Sequence, residues 1–172
     1  LAQPALLMVI FVASMISVTT ALPTITERLA TQSLGLYPSL AFTAIAFARD
    51  DNIMAVGATG DPLDAYTIGR VAALEGRAVG IHVNFAPDAD LNNNPLNPII
   101  NTRSFGEDPQ AVSRLVQAYV RGVREHGMLS TLKHFPGHGS SKDDSHLGFV
   151  DVTGLWSRKE LEPFRNVIQA GL

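Results

Sequence analysis

Residues 133–146, KHFPGHGSSKDDSH, form the stretch richest in side chains that could do chemistry, with three His, two Asp and two Lys in fourteen positions. Such a density is hard to explain by folding alone. Gly137 and Gly139 allow backbone conformations denied to other residues, so we predict a loop that can move. A moving loop can carry a catalytic group to a bound substrate.

Within this loop, Asp144 stands two residues before His146. In an extended or turning backbone the carboxylate can accept the Nδ1–H of the imidazole, which fixes the tautomer and makes Nε2 more basic. A His prepared in this way suits general acid/base catalysis near neutral pH. The alternative is a solvated loop in which the two residues are merely neighbours, and for an isolated D-x-H pattern that is the commoner case.

The same loop could also supply ligands to a zinc ion. Three imidazole nitrogens and one carboxylate oxygen are available, from His134, His138, His146 and Asp144. Their spacing is not that of the helix-borne H-E-x-x-H pattern. We therefore expect no metal and no cofactor.

Two further polar groups precede this loop. Asp90 follows an apolar run, and Arg103 lies in the segment NTRSFG over residues 101–106. Taken alone, Asp90 would cap a turn and Arg103 would pair with a carboxylate for structural reasons.

Three helix starts frame these polar segments. Asp61-Pro62 and Asp108-Pro109 each place an N-cap Asp before a Pro at the first helical position, and residues 157–160 (SRKE) form a capping-box pattern. Spacings of three and four then predict the buried faces, which consist of Leu63, Thr67, Val71, Leu74 and Ala78 in the first helix, Val112, Leu115, Val116, Tyr119 and Val123 in the second, and Phe164, Val167 and Ile168 in the third.

Each of the first two helices is followed by a run suited to a buried strand, at residues 79–85 and 128–135. Alternation of helices and strands predicts an α/β fold with parallel strands, either an open doubly wound sheet or a (β/α) barrel. In both folds, sites are built at the C-terminal ends of the strands, where the polar clusters lie.

Composition excludes several classes of protein. The chain has 172 residues, of which 46% are hydrophobic and 17% charged, and its net charge is −3. This profile is that of a globular domain without a nucleic-acid-binding or anionic-membrane footprint. The absence of Cys rules out thiol catalysis, Cys-based zinc sites and disulfides.

Residues 5–18, ALLMVIFVASMISV, form an apolar run that is too short to span a bilayer comfortably. Two interpretations stay open, the core of an export signal and a buried strand or helix. The export interpretation lacks a preceding Lys or Arg, since the first is Arg28. For the location of the protein, the sequence slightly favours export to the periplasm or the extracellular space over the cytoplasm.

Three ordered blocks resemble a known family. They are, in chain order, residues 84–90 (NFAPDAD), residues 101–109 (NTRSFGEDP) and residues 133–139 (KHFPGHG) with 144–146 (DSH). Together they are similar to the signature of glycoside hydrolase family 3, in particular its β-N-acetylhexosaminidase branch. The similarity runs from about residue 55 to residue 172.

This resemblance implies a (β/α)₈ barrel and a retaining mechanism that releases terminal β-linked N-acetylglucosamine from oligosaccharides or peptidoglycan fragments in a bacterium. His146, oriented by Asp144, would be the acid and then the base. The nucleophile would be an Asp on a later strand. The sugar hydroxyls would be bound by four residues, Asp90, Arg103, Lys133 and His134.

The resemblance also sets the expected organisation of the chain. A complete barrel of this type needs about 250 residues. We therefore expect residues 55–172 to be a partial barrel that is inactive alone, completed by the rest of the barrel and by a C-terminal domain, with residues 1–54 an atypical apolar segment. The alternatives are a family 3 β-glucosidase or β-xylosidase, and a catalytically inactive sugar-binding remnant.

Overall fold

A computed structural model of the chain describes residues 53–172. The apolar run at residues 5–18, and nearly all of the predicted N-terminal segment 1–54, lie outside the described residues. Among the residues that are described, no helix has both the length and the apolar character needed to cross a membrane.

The described residues alternate between helices and short strands, as predicted. The elements in chain order are α1 (Ile53–Thr59), α2 (Pro62–Ala78), β1 (Val83–Asn84), α3 (Pro109–Glu125), β2 (Leu129–Ser130) and α4 (Glu162–Gln169), with 3₁₀ helices at Asn101–Arg103 and Arg158–Leu161.

The helix starts are confirmed by their caps. The Asp61 carboxylate accepts the backbone N–H of Leu63 at 2.8 Å, and the Asp108 carboxylate accepts that of Ala111 at 2.7 Å. The capping box at Ser157 is also present. It opens the 3₁₀ helix first, and the α-helix proper begins only at Glu162.

The predicted buried face of α3 is confirmed, since all five of its residues are buried. The predicted face of α2 is wrong. Leu63 and Leu74 are 65% and 47% exposed, and the buried residues are small, namely Ala65, Gly69, Ala72, Ala73 and Gly76. In α4, Phe164 and Val167 are buried, but Ile168 is exposed.

Close contact between α2 and α3 explains the error. A Cβ built on Gly69 would lie 2.2 Å from the backbone oxygen of Tyr119, and one built on Gly122 would lie 2.2 Å from that of Tyr66. The two helix backbones touch at these glycines, so only small residues fit between them. The larger apolar side chains of α2 therefore point elsewhere.

The two strands are parallel, with Val83 opposite Leu129 and Asn84 opposite Ser130, and α3 is the crossover between them. Both are shorter than predicted. β1 begins late because α2 runs to Ala78 and the chain turns at Gly80, which has a φ of +88°. The two segments nevertheless stay side by side, since an isolated parallel bridge joins Asp88 to Lys133 and the N–H of Ala89 donates to the carbonyl of Lys133 at 2.7 Å.

Candidate active site

The first group of polar side chains lies where β1 and β2 end. Asp88 is fully buried, and its Oδ2 lies 3.0 Å from Nη2 of Arg103 while its Oδ1 lies 3.4 Å from Nζ of Lys133. Burial raises the pKa of the Asp88 carboxyl, and the two cations oppose that rise. Asp88 thus holds Arg103 and Lys133 side by side, with 14% and 15% of their side chains exposed.

Asp90 anchors the start of the 133–146 loop. Its Oδ2 accepts the backbone N–H of His134 at 2.9 Å and lies 2.7 Å from Nδ1 of the same residue. Its Oδ1 accepts the backbone N–H of His138 at 2.7 Å. Since the Asp90 side chain is fully buried, this geometry favours a supporting role over the sugar contact implied by the resemblance, which stays a prediction.

His134 is oriented by that bond. Its Nδ1 is directed to Asp90, and 31% of the side chain is exposed. The ring packs edge-on against that of His138, with the centroids 5.9 Å apart. Arg103 and Lys133, which carry the positive charge, and the neighbouring His134 together form what we call the cationic cluster.

The second group is the Asp144–His146 dyad. Oδ1 of Asp144 accepts the backbone N–H of His146 at 2.7 Å and lies 2.7 Å from its Nδ1. Slight burial would raise the pKa of the Asp144 carboxyl, but the bonds from the backbone and ring of His146 outweigh it and the pKa is lowered. The predicted pairing is therefore present, with 40% of the His146 side chain exposed.

His138 and two asparagines fasten the loop that carries the dyad. Nε2 of His138 lies 3.0 Å from Oγ of Ser145. The side-chain amide of Asn97 donates to the carbonyls of His138 and Gly139 at 2.8 and 3.2 Å, and that of Asn94 donates to the carbonyl of Ser141 at 2.9 Å. The segment between the two upstream blocks, residues 91–100, thus supports the loop.

Sequence reasoning assigned no role to Asp88, Asn97 or Ser145. The placement of Asp88 after a strand was a usable signal, because a buried carboxylate needs cationic partners. The roles of Asn97 and Ser145 depend on contacts across the fold that no local pattern announces.

The possible metal ligands that the structure brings together are not the four considered from the sequence. Ligand atoms of Asp88, Asp90 and His134 all lie within 4.8 Å of one another. Arg103 and Lys133 already pair with Asp88 there. A divalent cation at that point would lie beside two positive side chains, so the geometry does not favour a metal.

Comparison with known proteins gives the family. Residues 50–172 match the glycosyl hydrolase family 3 N-terminal domain. A solved family 3 β-N-acetylglucosaminidase from Paenibacillus sp. strain FPU-7 is 44% identical, with a TM-score of 0.65 over 69% of this chain and 23% of that one. Beta-hexosaminidase A from Pseudoalteromonas piscicida is 42% identical over 123 residues, which are 68% of this chain and 21% of that protein.

A third relative differs in its named activity. The solved structure of the beta-glucoside phosphorylase BglX is 45% identical, with a TM-score of 0.55 over 55% of this chain and 17% of that one.

The chain therefore belongs to glycosyl hydrolase family 3. The predicted fold class is confirmed, since the parallel strands and crossover helix are part of the TIM-barrel-like α/β fold of the family's N-terminal domain. The chain spans less than a quarter of the length of Beta-hexosaminidase A and of the Paenibacillus enzyme.

Proposed function

We propose that this chain carries the sugar-binding and acid/base residues of a retaining glycosidase that removes terminal β-linked N-acetylglucosamine from oligosaccharides or peptidoglycan fragments. The observation that carries the proposal is the 2.7 Å contact between Asp144 and Nδ1 of His146. This contact favours the tautomer that is protonated at Nδ1, and it leaves Nε2 as the nitrogen that exchanges protons with the substrate.

In the first step of this mechanism, protonated His146 donates a proton from Nε2 to the glycosidic oxygen as a carboxylate attacks the anomeric carbon. In the second step, neutral His146 takes a proton from the water that releases the sugar. Asp144, whose pKa is lowered from the usual Asp value, is anionic near neutral pH and stabilises the imidazolium. The carboxylate nucleophile is assigned, on the family resemblance, to an Asp on a later barrel strand.

Arg103, Lys133 and His134 would bind the sugar. Their N–H groups are donors for hydroxyl oxygens, and their mostly buried stems hold them in fixed directions. Asp88 and Asp90 would support them from beneath. The proposed organisation keeps residues 55–172 as part of a barrel, completed by further strands and a C-terminal domain.

The experiment that tests the acid role is the leaving-group dependence of His146→Ala in the complete enzyme. With an alkyl N-acetylglucosaminide, whose leaving group needs a proton, kcat/KM should fall by about 10²–10⁴-fold, the contribution of a positioned acid. With a 2,4-dinitrophenyl N-acetylglucosaminide, kcat/KM, which reports the glycosylation step alone, should fall little. Equal losses on both substrates would exclude His146 as the acid.

A second candidate function is glucoside cleavage, with water or phosphate as the acceptor. The similarity to the beta-glucoside phosphorylase BglX favours it. Rates on 4-nitrophenyl glucoside and 4-nitrophenyl N-acetylglucosaminide, each with and without inorganic phosphate, distinguish the candidates. Faster glucoside cleavage favours the alternative, and calorimetric sugar binding without any turnover favours an inactive sugar-binding remnant.

A further inference from the structure

Glu160 is fully buried, yet it belongs to neither the cationic cluster nor the dyad. It is the third residue after the N-cap Ser157 and closes the capping box of the 3₁₀ helix. A Glu in that position needs only to reach the backbone N–H of the N-cap residue, which it can do from the surface. Because Glu is almost never fully buried unless it is partnered, its burial needs another explanation.

The 133–146 loop provides a second hydrogen-bond partner for Glu160. Oε1 of Glu160 accepts the hydroxyl of Ser140 at 2.7 Å as well as the backbone N–H of Ser157 at 3.1 Å. One oxygen therefore joins the 133–146 loop to the helix that follows it.

Two more contacts fasten the same part of the loop. A Cβ on Gly137 would lie 2.7 Å from Cβ of Glu160, and Gly137 has a φ of +125°, so only glycine fits against this side chain. Nε1 of Trp156 donates to the carbonyl of Pro136 at 3.1 Å. We call the contacts of residues 136, 137 and 140 with residues 156–160 the Glu160 clamp.

The residues of the clamp lie on either side of His138 in the sequence, and His138 connects the clamp to the dyad through Ser145. The backbone of His138 is held by Asp90, and its ring contacts Ser145, which lies between Asp144 and His146. We propose that Glu160 is a positioning residue that holds the loop so that His146 meets the glycosidic oxygen. This inference rests on the acid/base function proposed for His146.

Two Ser→Ala substitutions separate this role from simple helix capping. Ser140→Ala removes the donor on the loop side, whereas Ser157→Ala removes a hydroxyl on the helix side and keeps the bond from Ser140 to Glu160. Glu160→Ala removes both bonds. Glu160→Gln keeps an oxygen that can accept them and should rescue the loss.

The first measurement is limited proteolysis of the full chain with a Lys-specific protease. Lys142 is exposed and lies two residues after Ser140. Cleavage after Lys142 should become about tenfold faster in Ser140→Ala and Glu160→Ala, the factor that corresponds to losing one buried hydrogen bond. Ser157→Ala and Glu160→Gln should stay within about twofold of the wild type. Equal rates in the two Ser variants would overturn the proposal.

The second measurement is the leaving-group dependence of kcat/KM in the complete enzyme. Ser140→Ala should lower kcat/KM on an alkyl N-acetylglucosaminide and should leave kcat/KM on the 2,4-dinitrophenyl substrate nearly unchanged. Faster cleavage after Lys142 with an unchanged leaving-group dependence would mean that the clamp does not position His146, which overturns the proposal. If the wild type hydrolyses nothing, the function proposed for His146 fails, and the proteolysis alone decides whether Glu160 holds the loop.

Discussion

Two carboxylates at the end of one strand have different partners and different effects. Asp88 pairs with the side chains of Arg103 and Lys133, whereas Asp90 accepts two backbone N–H groups of the loop and the ring of His134. Asp88 therefore neutralises charge, and Asp90 fixes the path of the backbone. A third carboxylate, Asp144, orients a ring that is exposed to solvent.

At the residue scale, the dyad predicts a titration. The Asp144 carboxyl should titrate below about 3.9, the usual Asp value. His146→Ala removes the ring donor but keeps the backbone donor, so the pKa of Asp144 should return only part of the way. Because the folded pKa lies below the unfolded one, the stabilisation from these bonds is present above about pH 4 and is lost as the pH falls through the folded value.

Carbon-detected NMR of the Asp side chains measures this shift, and Asp151 is its matched control. The pKa of Asp151 is also lowered, by hydrogen bonds from Thr153. It should not move in His146→Ala. An Asp144 carboxyl that titrates at the same pH with and without the imidazole would show that the dyad contact is absent in solution.

At the element scale, α2 and α3 meet through glycine rather than through large apolar side chains. Sequence periodicity identified the buried face of α3, because that face is built of Val, Leu and Tyr. It failed for α2, because its buried face consists of Ala and Gly, which carry little hydrophobic signal. The backbone contacts at Gly69 and Gly122 decide the packing, and they involve residues far apart in the sequence.

Gly69→Ala tests that packing. Alanine favours a helix over glycine by about 1 kcal/mol. Its Cβ would nevertheless meet the backbone oxygen of Tyr119 at 2.2 Å, which no side-chain rotation relieves. We expect a net loss of about 1–3 kcal/mol in the free energy of unfolding, as for other overpacked positions, measured by urea denaturation. Gly148→Ala, which meets nothing within 4 Å, should be close to neutral. A Gly69→Ala variant more stable than the wild type would contradict the close helix contact.

At the scale of the whole molecule, the sequence predicted the order of elements, the parallel strands and the Asp144–His146 pair. Each of these follows from local signals, namely capping residues, apolar runs and a two-residue spacing. The partners of Asp88, the loop support from Asn97 and the burial of Glu160 were not predictable. Each depends on a contact between separate segments, namely the bridge of Asp88 to Lys133, the bond of Asn97 to His138 and that of Glu160 to Ser140, and a single sequence does not show which segments meet.

The two halves of the site also differ in how much of the chain must fold to build them. The dyad joins residues two apart, so its contact order is minimal, whereas Asp90 and His134 are separated by 44 residues. In a urea titration followed by NMR, the signals of the cationic cluster should therefore vanish with the α2–α3 packing. The lowered pKa of Asp144 should persist in part beyond that transition. Loss of both at the same urea concentration would show that the dyad, too, depends on the complete fold.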